Sequence, residues 1–205
     1  MEVSKTDIAI LILAAGSSTR MGTPKQILPW GDTTLLGNAI RSAQGTGIKD
    51  IYVVLGANAP QILEINPIKD IHFLTNSNWK EGLGTSIATG MRYFQEANKN
   101  YRGVLVMLGD QPLIDTTYLN KMITTFTLTK NSIVCTAYDE KKGVPALFDQ
   151  VYFKEMILLS KDYGAKEILH ANKKKLLALN ALGKAVDLDT MEAYKRLRAD
   201  TFSKS

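Results

Sequence analysis

The sequence predicts an α/β fold in which a mostly parallel, Rossmann-like sheet carries helices on both faces. Apolar runs at 8–13, 51–55 and 104–108 alternate along the chain with stretches of helical periodicity. Runs that are apolar throughout are typical of strands buried on both faces of a parallel sheet. The 205 residues contain no internal repeat and no linker-like segment. We therefore predict a single domain that spans residues 1–205.

Strands and helices alternate through the first two thirds of the chain. Leu36, Ala39, Ile40 and Ala43 recur at helical spacing, which places them on one face of an amphipathic helix. The predicted elements are strand 8–13, helix 33–44, strand 51–55, strand 71–74, helix 85–97, strand 104–108, helix 116–127 and strand 132–137.

The last third of the chain is less regular. Thr190 is a suitable N-cap for a closing helix, because its side-chain oxygen can accept from an unpaired N–H of the first turn. The predicted elements are a short strand at 145–148, helices at 153–160 and 165–171, a strand at 176–182 and a helix at 190–198.

The composition favours a soluble protein with an anionic ligand. The net charge is +5, and the densest basic run, Lys173–Lys175, is predicted to be a solvated helix end rather than a polynucleotide patch. The single cysteine, Cys135, excludes an intramolecular disulfide, and two distant histidines suggest no Ser/His/Asp constellation. Because the N-terminus lacks a signal-peptide layout and no apolar run could cross a bilayer, we expect a cytoplasmic protein without nucleic-acid or membrane partners.

A small-residue loop directly after the first predicted strand is the strongest functional signal. It begins Leu13-Ala14-Ala15-Gly16 and carries two cations, Arg20 and Lys25. Small residues allow backbone N–H groups to approach a polyphosphate closely, and the cations can neutralise its charge. The loop lacks the glycine and lysine spacing of a Walker loop and the three glycines of a dinucleotide fingerprint.

Four later motifs complete the pattern: residues 76–86 (NSNWKEGLGTS), 109–112 (GDQP), 143–148 (GVPALF) and 187–190 (DLDT). With the loop, they resemble, in order, the nucleotidyltransferases of the molybdenum-cofactor type, the MobA-like NTP transferase family that includes molybdenum cofactor cytidylyltransferases. The resemblance spans nearly the whole chain. It implies a nucleotide-diphospho-sugar transferase type of fold and transfer of a nucleoside monophosphate from a nucleotide triphosphate to a phosphorylated acceptor.

Three of the five motifs follow predicted strands directly, and ligands of open parallel sheets bind at the carboxyl ends of the strands. The loop after the first strand, Asn76 and Asp110 are therefore expected on one rim of the sheet. Asp110 is the predicted Mg²⁺ ligand, because Mg²⁺ in phosphoryl chemistry is held by one or two carboxylates and by substrate phosphates. Arg20, Lys25 and Asp110 are the predicted catalytic residues.

The remaining roles follow from the resemblance. Asp187 is favoured over Asp189 as second metal ligand; the two alternate along a predicted strand, so only one is expected to reach the metal. Gly143 and Pro145 belong to the segment that meets the acceptor. The nucleotide is expected to contact Leu13, Ala14, Ala15, Gly16, Lys25, Asn76, Gly82 and Ser86.

Two positions bear on the substrates. Guanine-using members of the family tend to have glycine where Ala15 stands, which favours CTP over GTP. Cytidylyltransferases of this type usually have histidine where Val144 stands, so the acceptor stays open. The expected reaction moves CMP from CTP to molybdopterin or its molybdenum-loaded form, with a molybdoenzyme or its accessory protein as a partner. A sugar or polyol phosphate acceptor and a non-catalytic nucleotide- or cofactor-binding accessory protein are the alternatives.

Overall fold

The structure is a computed structural model that describes residues 4–65, 68–129, 132–138, 141–161 and 164–203. Seven strands form one sheet in the order β5-β4-β1-β6-β8-β7-β9, and a two-stranded ribbon, β2-β3, lies apart from it. The strands are β1 (Ile8–Ala14), β2 (Pro29–Trp30), β3 (Thr33–Thr34), β4 (Ile51–Leu55), β5 (His72–Thr75), β6 (Gly103–Leu108), β7 (Ile133–Tyr138), β8 (Lys141–Asp149) and β9 (Leu176–Asn180).

Seven α-helices are assigned in the described ranges. They are α1 (Leu35–Gln44), α2 (Ala59–Ile65), α3 (Leu83–Glu96), α4 (Thr116–Thr127), α5 (Phe153–Ile157), α6 (Gly164–Ala171) and α7 (Met191–Phe202). Three helices begin at side-chain caps, because the side chains of Thr34, Asp115 and Thr190 accept hydrogen bonds from backbone N–H groups of the first turn. None of the described helices combines the length and apolar character that crossing a bilayer requires.

The sheet is parallel except at one strand. β1 pairs in parallel with β4 and β6, and β4 pairs in parallel with β5. β8 runs antiparallel to both neighbours, β6 and β7, and β9 pairs in parallel with β7. The carboxyl ends of the six codirectional strands therefore share one rim with the amino end of β8.

Two apolar clusters cover the two faces of the sheet, as predicted. One packs α1, α2 and α4 against the sheet, and the other packs α3, α5 and α6 against the opposite face. Every residue of β1 is buried, which explains its unbroken apolar sequence. A third cluster joins Met21, Trp30, Leu35, Leu188 and Tyr194, and so fixes the loop after β1 against the chain near Asp187.

Several predicted elements need correction. The strand predicted at 176–182 ends at Asn180, and Asp187 and Asp189 lie in irregular chain rather than on a strand. The helix predicted at 153–160 ends at Ile157. The sequence interpretation did not include α2, the β2-β3 ribbon, or the extension of the 145–148 strand to Lys141–Asp149, whose antiparallel direction depends on its neighbours in the sheet.

Candidate functional site

A cleft of about 390 Å³ opens at the carboxyl ends of β1 and β6, beside the start of α3. This is the position at which open parallel sheets bind ligands. The cleft is lined by Leu13, Ala14, Ala15, Gly16, Ser17, Lys25, Gln26, Trp79, Lys80, Gly82, Leu83, Ser86, Leu108, Gly109 and Asp110. It therefore gathers residues from three of the five sequence motifs.

The loop after β1 is held by a buried glutamine. Gln26 is 2% exposed, and its Nε2 donates to the carbonyl oxygens of Ala14 at 2.8 Å and Gly16 at 2.9 Å. The backbone N–H of Lys25 donates to Ser18 Oγ at 3.1 Å, which closes the loop a second time. The carbonyls of the Ala14–Gly16 turn are thereby fixed toward the protein.

The loop also lies very close to the end of β4. The backbone N–H of Ala57 donates to the Ala15 carbonyl at 3.1 Å. A Cβ atom on Gly56 would stand 2.7 Å from that same carbonyl and 2.6 Å from Trp79 Cβ. Glycine is needed here because any side chain would push the loop and Trp79 apart.

An ion pair between Lys25 and Asp110 lies in the wall of the cleft. Lys25 Nζ contacts Asp110 Oδ2, donates to the Leu188 carbonyl at 3.3 Å and lies 3.6 Å from Asp189 Oδ1. Arg20 meets the other oxygen of Asp189 at 3.5 Å, with both side chains largely exposed. Thus the two cations of the loop converge on the chain at 187–189.

Asp110 lies in an electrostatically unusual position. Burial raises the pKa of its carboxyl, Lys25 opposes that rise, and the nearby Asp187 and Asp189 add to it. The three carboxylates therefore act on one small region, in which Lys25 and Arg20 are the compensating cations. Such a site gains free energy from a further positive charge.

These oxygens fit a hard divalent cation. The Asp110 carboxylate and the Leu188 carbonyl already contact an ammonium group, and the Asp187 carboxylate lies near enough to raise the pKa of Asp110. Among the described residues, no three acidic, histidine or cysteine side chains form a preformed metal cage. Mg²⁺ bound by one or two carboxylates and completed by substrate phosphates matches this donor set.

A chain of hydrogen bonds links Asp187 to the 143–148 segment. Gln111 Nε2 donates to Asp187 Oδ1 at 2.7 Å and to the Tyr138 hydroxyl at 2.9 Å. The Tyr138 hydroxyl in turn donates to the Val144 carbonyl. Burial raises the pKa of Tyr138, so the phenol stays protonated and able to donate.

A buried polar cluster begins α3. Asn76 Nδ2 donates to Thr85 Oγ1 at 2.9 Å and to Ser86 Oγ at 3.0 Å, and the backbone N–H of Asn78 donates to Asn76 Oδ1 at 2.9 Å. Asn76 is 3% exposed and does not line the cleft, whereas Ser86 does. Asn76 therefore positions the start of α3, including Ser86.

The predicted site residues fall into two groups. The cleft is lined by Leu13, Ala14, Ala15, Gly16, Lys25, Gly82, Ser86 and Asp110, whereas Arg20, Asn76, Gly143, Pro145 and Asp187 are not among its lining residues. Arg20 and Lys25 share Asp189 as an ion-pair partner, and Asp187 accepts a hydrogen bond from Gln111, the residue next to Asp110. Gly143 and Pro145 lie within β8, where Gly143 faces the Tyr138 ring and the Pro145 carbonyl accepts from Thr136.

Sequence reasoning missed Gln26, Gln111, Tyr138 and Trp79. The two glutamines directly follow Lys25 and Asp110, and Trp79 lies inside the 76–86 motif. Their positions inside or beside motifs were a usable signal. Tyr138 gave none, because its role depends on the pairing of β7 with β8.

Residues 10–176 match the family model described as MobA-like NTP transferase domain. Among curated relatives, the nicotine blue oxidoreductase of Paenarthrobacter nicotinovorans is 30% identical over 114 residues, which is 55% of this chain and 54% of that protein. The bifunctional protein GlmU of Pseudomonas entomophila is 33% identical over 116 residues, which is 56% of this chain and 24% of that protein. The aligned region thus spans about half and about a quarter of the lengths of these relatives.

Solved structures match over nearly the whole chain. The crystal structure of Rv0371c from Mycobacterium tuberculosis H37Rv has a TM-score of 0.80 and 28% identity, covering 95% of this chain and 99% of that one. A complex of the same protein with manganese has a TM-score of 0.76 and 27% identity, covering 94% and 98% of the two chains.

Proposed function

Because this chain belongs to the MobA-like NTP transferase family, we propose that it transfers CMP from CTP to the phosphate of molybdopterin or its molybdenum-loaded form and releases pyrophosphate. The observation that carries the proposal is the contact of Lys25 with Asp110 in the wall of the cleft, at the carboxyl ends of β1 and β6. A nucleotidyltransferase needs a cation for the triphosphate and a carboxylate for a metal, and this cleft supplies both.

The reaction follows from these charges. An oxygen of the acceptor phosphate attacks the α-phosphorus of CTP and forms a new P–O bond. The bond from the α-phosphorus to the oxygen that bridges it to the β-phosphorus breaks, and pyrophosphate leaves. The acceptor phosphate is already an anion at neutral pH, so no general base is required. Lys25 and Arg20 would neutralise charge on the triphosphate and on the departing pyrophosphate.

A divalent metal is part of the proposal. Asp110 and Asp187 would hold Mg²⁺, which neutralises phosphate charge when bound. Lys25 would exchange its contact with Asp110 for contacts with phosphate oxygens. The manganese complex of the Rv0371c protein supports a divalent metal in a relative of this fold.

The nucleotide and acceptor residues belong to the same proposal. The turn Leu13-Ala14-Ala15-Gly16 would hold the base and ribose, with Gly82 and Ser86 on the opposite wall. Ala15 lines the cleft and is 6% exposed; its methyl group would narrow the space beside the base and favour a pyrimidine. Gly143 and Pro145 would meet the acceptor, with a molybdoenzyme or its accessory protein receiving the product.

A pyrophosphate-release screen tests this function. The protein would be incubated with Mg²⁺, molybdopterin and CTP, GTP, ATP or UTP in turn, with EDTA as the control. We expect release above background that is fastest with CTP and absent with EDTA. No release with any nucleotide, despite nucleotide binding measured by thermal shift, would favour a binding protein without turnover.

A sugar or polyol phosphate acceptor is the second candidate. Val144 favours this candidate. Its apolar side chain is 9% exposed, and its carbonyl already accepts a hydrogen bond from the Tyr138 hydroxyl. Without an ionisable side chain there, the segment 143–148 offers the acceptor mainly backbone groups. Release of pyrophosphate with CTP and a sugar phosphate, but not with molybdopterin, would select this alternative.

A further inference from the structure

We propose that two buried glutamines, Gln26 and Gln111, are positioning residues that divide the site between them. Each directly follows one partner of the Lys25–Asp110 ion pair. Gln26 sets the loop that would hold the nucleotide. Gln111 orients Asp187 and, through Tyr138, the Val144 carbonyl of the 143–148 segment. The assignment of these parts to nucleotide, metal and acceptor rests on the proposed function; the positioning itself does not.

The Gln26 amide donates to the turn that begins the loop after β1. Its two donated hydrogen bonds go to Ala14 and Gly16, which lie on either side of Ala15 in the cleft wall. Each of these carbonyls shares a planar peptide unit with the N–H of the next residue, so the two hydrogen bonds fix the directions of the Ala15 and Ser17 N–H groups. Loss of this amide would free the turn without touching Asp187.

The Gln111 amide donates to residues on the opposite side of the ion pair. Its donated hydrogen bonds go to the Asp187 carboxylate and to the Tyr138 hydroxyl, 76 and 27 residues away along the chain. Asp187 lies in irregular chain, so no strand or helix fixes its direction. Groups that orient a metal-binding carboxylate by a hydrogen bond change metal affinity by about 10- to 100-fold when removed.

The donated hydrogen bonds account for an amide at each position. Gln26 and Gln111 are 2% and 1% exposed, and among the described residues no group donates to their Oε1 atoms. Each Nε2, in contrast, donates two hydrogen bonds to the groups that it positions. An apolar side chain of similar length would fill the same space but would leave those acceptors unbonded, which costs free energy.

Methionine at each position gives a matched pair of variants. Gln26→Met and Gln111→Met keep the length of the side chain and remove the two donors and the unpaired oxygen. Both proteins should melt within a few degrees of the wild type. Each variant is the control for the other, because both lose one buried amide in the same site.

Hydrogen–deuterium exchange of the free protein is the primary measurement. We expect Gln26→Met to accelerate amide exchange at least fivefold in peptides covering residues 13–24, with no change at 141–149 or 185–190. Gln111→Met should give the reverse pattern. Equal patterns, or no regional change in either folded variant, would overturn the inference.

Ligand binding gives the second measurement. With EDTA present, Gln26→Met should weaken CTP binding at least fivefold while Gln111→Met leaves it within twofold. Mn²⁺ titrated into the CTP complex and followed by electron paramagnetic resonance should bind about tenfold more weakly to Gln111→Met, and within twofold of wild type to Gln26→Met. Unchanged Mn²⁺ affinity in Gln111→Met would overturn the assignment of Asp187.

Tyr138→Phe separates the two branches from Gln111. It removes the hydroxyl that joins Gln111 to the Val144 carbonyl and leaves the hydrogen bond to Asp187. Exchange should rise at 141–149, with Mn²⁺ affinity unchanged; a loss of Mn²⁺ affinity, or unchanged exchange, would contradict this branch. If Gln111→Met fails to fold, Tyr138→Phe still tests the link. If the two glutamine variants change exchange in different regions but the wild type releases no pyrophosphate, the proposed function is refuted and the positioning inference stands.

Discussion

Two regions of this site, the donor side that would bind the nucleotide and the far side opposite it, are held in place by different structural elements. The donor side consists of the loop after β1, the end of β6 and the start of α3, all attached to elements of the parallel sheet or its covering helices. The far side consists of the irregular chain at 184–189, which includes Asp187 and Asp189, and of the 143–148 segment on the antiparallel strand β8.

This difference determines what holds each side in place. On the donor side, parallel strands bring Lys25 and Asp110 to one rim, and the buried core behind them fixes the geometry. On the far side, pairing with β6 and β7 holds the 143–148 segment, whereas single side-chain contacts hold the irregular chain: Gln111 binds Asp187, and Lys184 binds Asp115 at the start of α4. The irregular chain at 184–189 should therefore be easier to disturb without unfolding the protein.

Asp110→Asn should have the largest effect, because it removes the charge that both sides share. We expect pyrophosphate release with CTP and Mg²⁺ to fall by at least about 100-fold, since the amide keeps the shape of the side chain but no longer anchors a metal. Circular dichroism should show an intact fold. A variant that keeps most of its rate at limiting Mg²⁺ would show that Asp110 is not the metal ligand.

Lys25→Ala should come next, and it tests whether the donor side acts mainly in the transition state. We expect kcat to fall by about 10- to 100-fold, with KM for CTP changing much less. Lys121→Ala, an exposed lysine on α4, is the control and should leave both constants unchanged. A rise in KM alone would make Lys25 a clamp for the bound triphosphate.

Ala15→Gly should have a smaller effect, on nucleotide choice rather than on rate. Removing one methyl group from a cleft wall changes discrimination by about 1–3 kcal/mol. The wild type should prefer CTP to GTP, and the variant should narrow that ratio of kcat/KM without reversing it. Equal or better use of GTP by the wild type would refute the cytidylyl reaction and leave the broader nucleotidyltransferase proposal.

The smallest effect is expected at Asp115, which caps α4 and binds Lys184 of the far side. Burial raises the pKa of Asp115, but hydrogen bonds from Lys184 and the Tyr118 N–H outweigh it and lower the pKa overall. At neutral pH, Asp115→Ala should lower the free energy of unfolding by about 1 kcal/mol.

The pH dependence of that effect follows from the sign of the shift. A lowered pKa stabilises the fold above the ordinary pKa of 3.8 and loses this contribution as the pH falls through the folded value. The difference between wild type and Asp115→Ala should therefore shrink in urea titrations below about pH 4. Asp32→Ala, which breaks an exposed pair with Arg41, is the control and should change stability by less than about 0.5 kcal/mol.

Much of the donor side could be predicted from the sequence. The continuous apolar runs identified β1, β4 and β6, and the small-residue loop and Asp110 were expected at their carboxyl ends. The structure confirms the mostly parallel sheet with helices on both faces. The predicted strand through Asp187 and Asp189 was wrong, because the alternation of charged and apolar residues there accompanies irregular chain in which Leu188 is buried.

The sequence by itself determined the buried strands β1, β4 and β6, the helix cap at Thr190 and the small-residue composition of the loop after β1, because these depend on residues close together along the chain. Only the tertiary structure decided that Lys25 meets Asp110 across 85 residues and that Gln111 meets Asp187 across 76. It also decided that β8 runs against its neighbours. The physical reason is that local propensity and periodicity act over one or two turns or strands, whereas these contacts depend on which surfaces pack together once the sheet has formed.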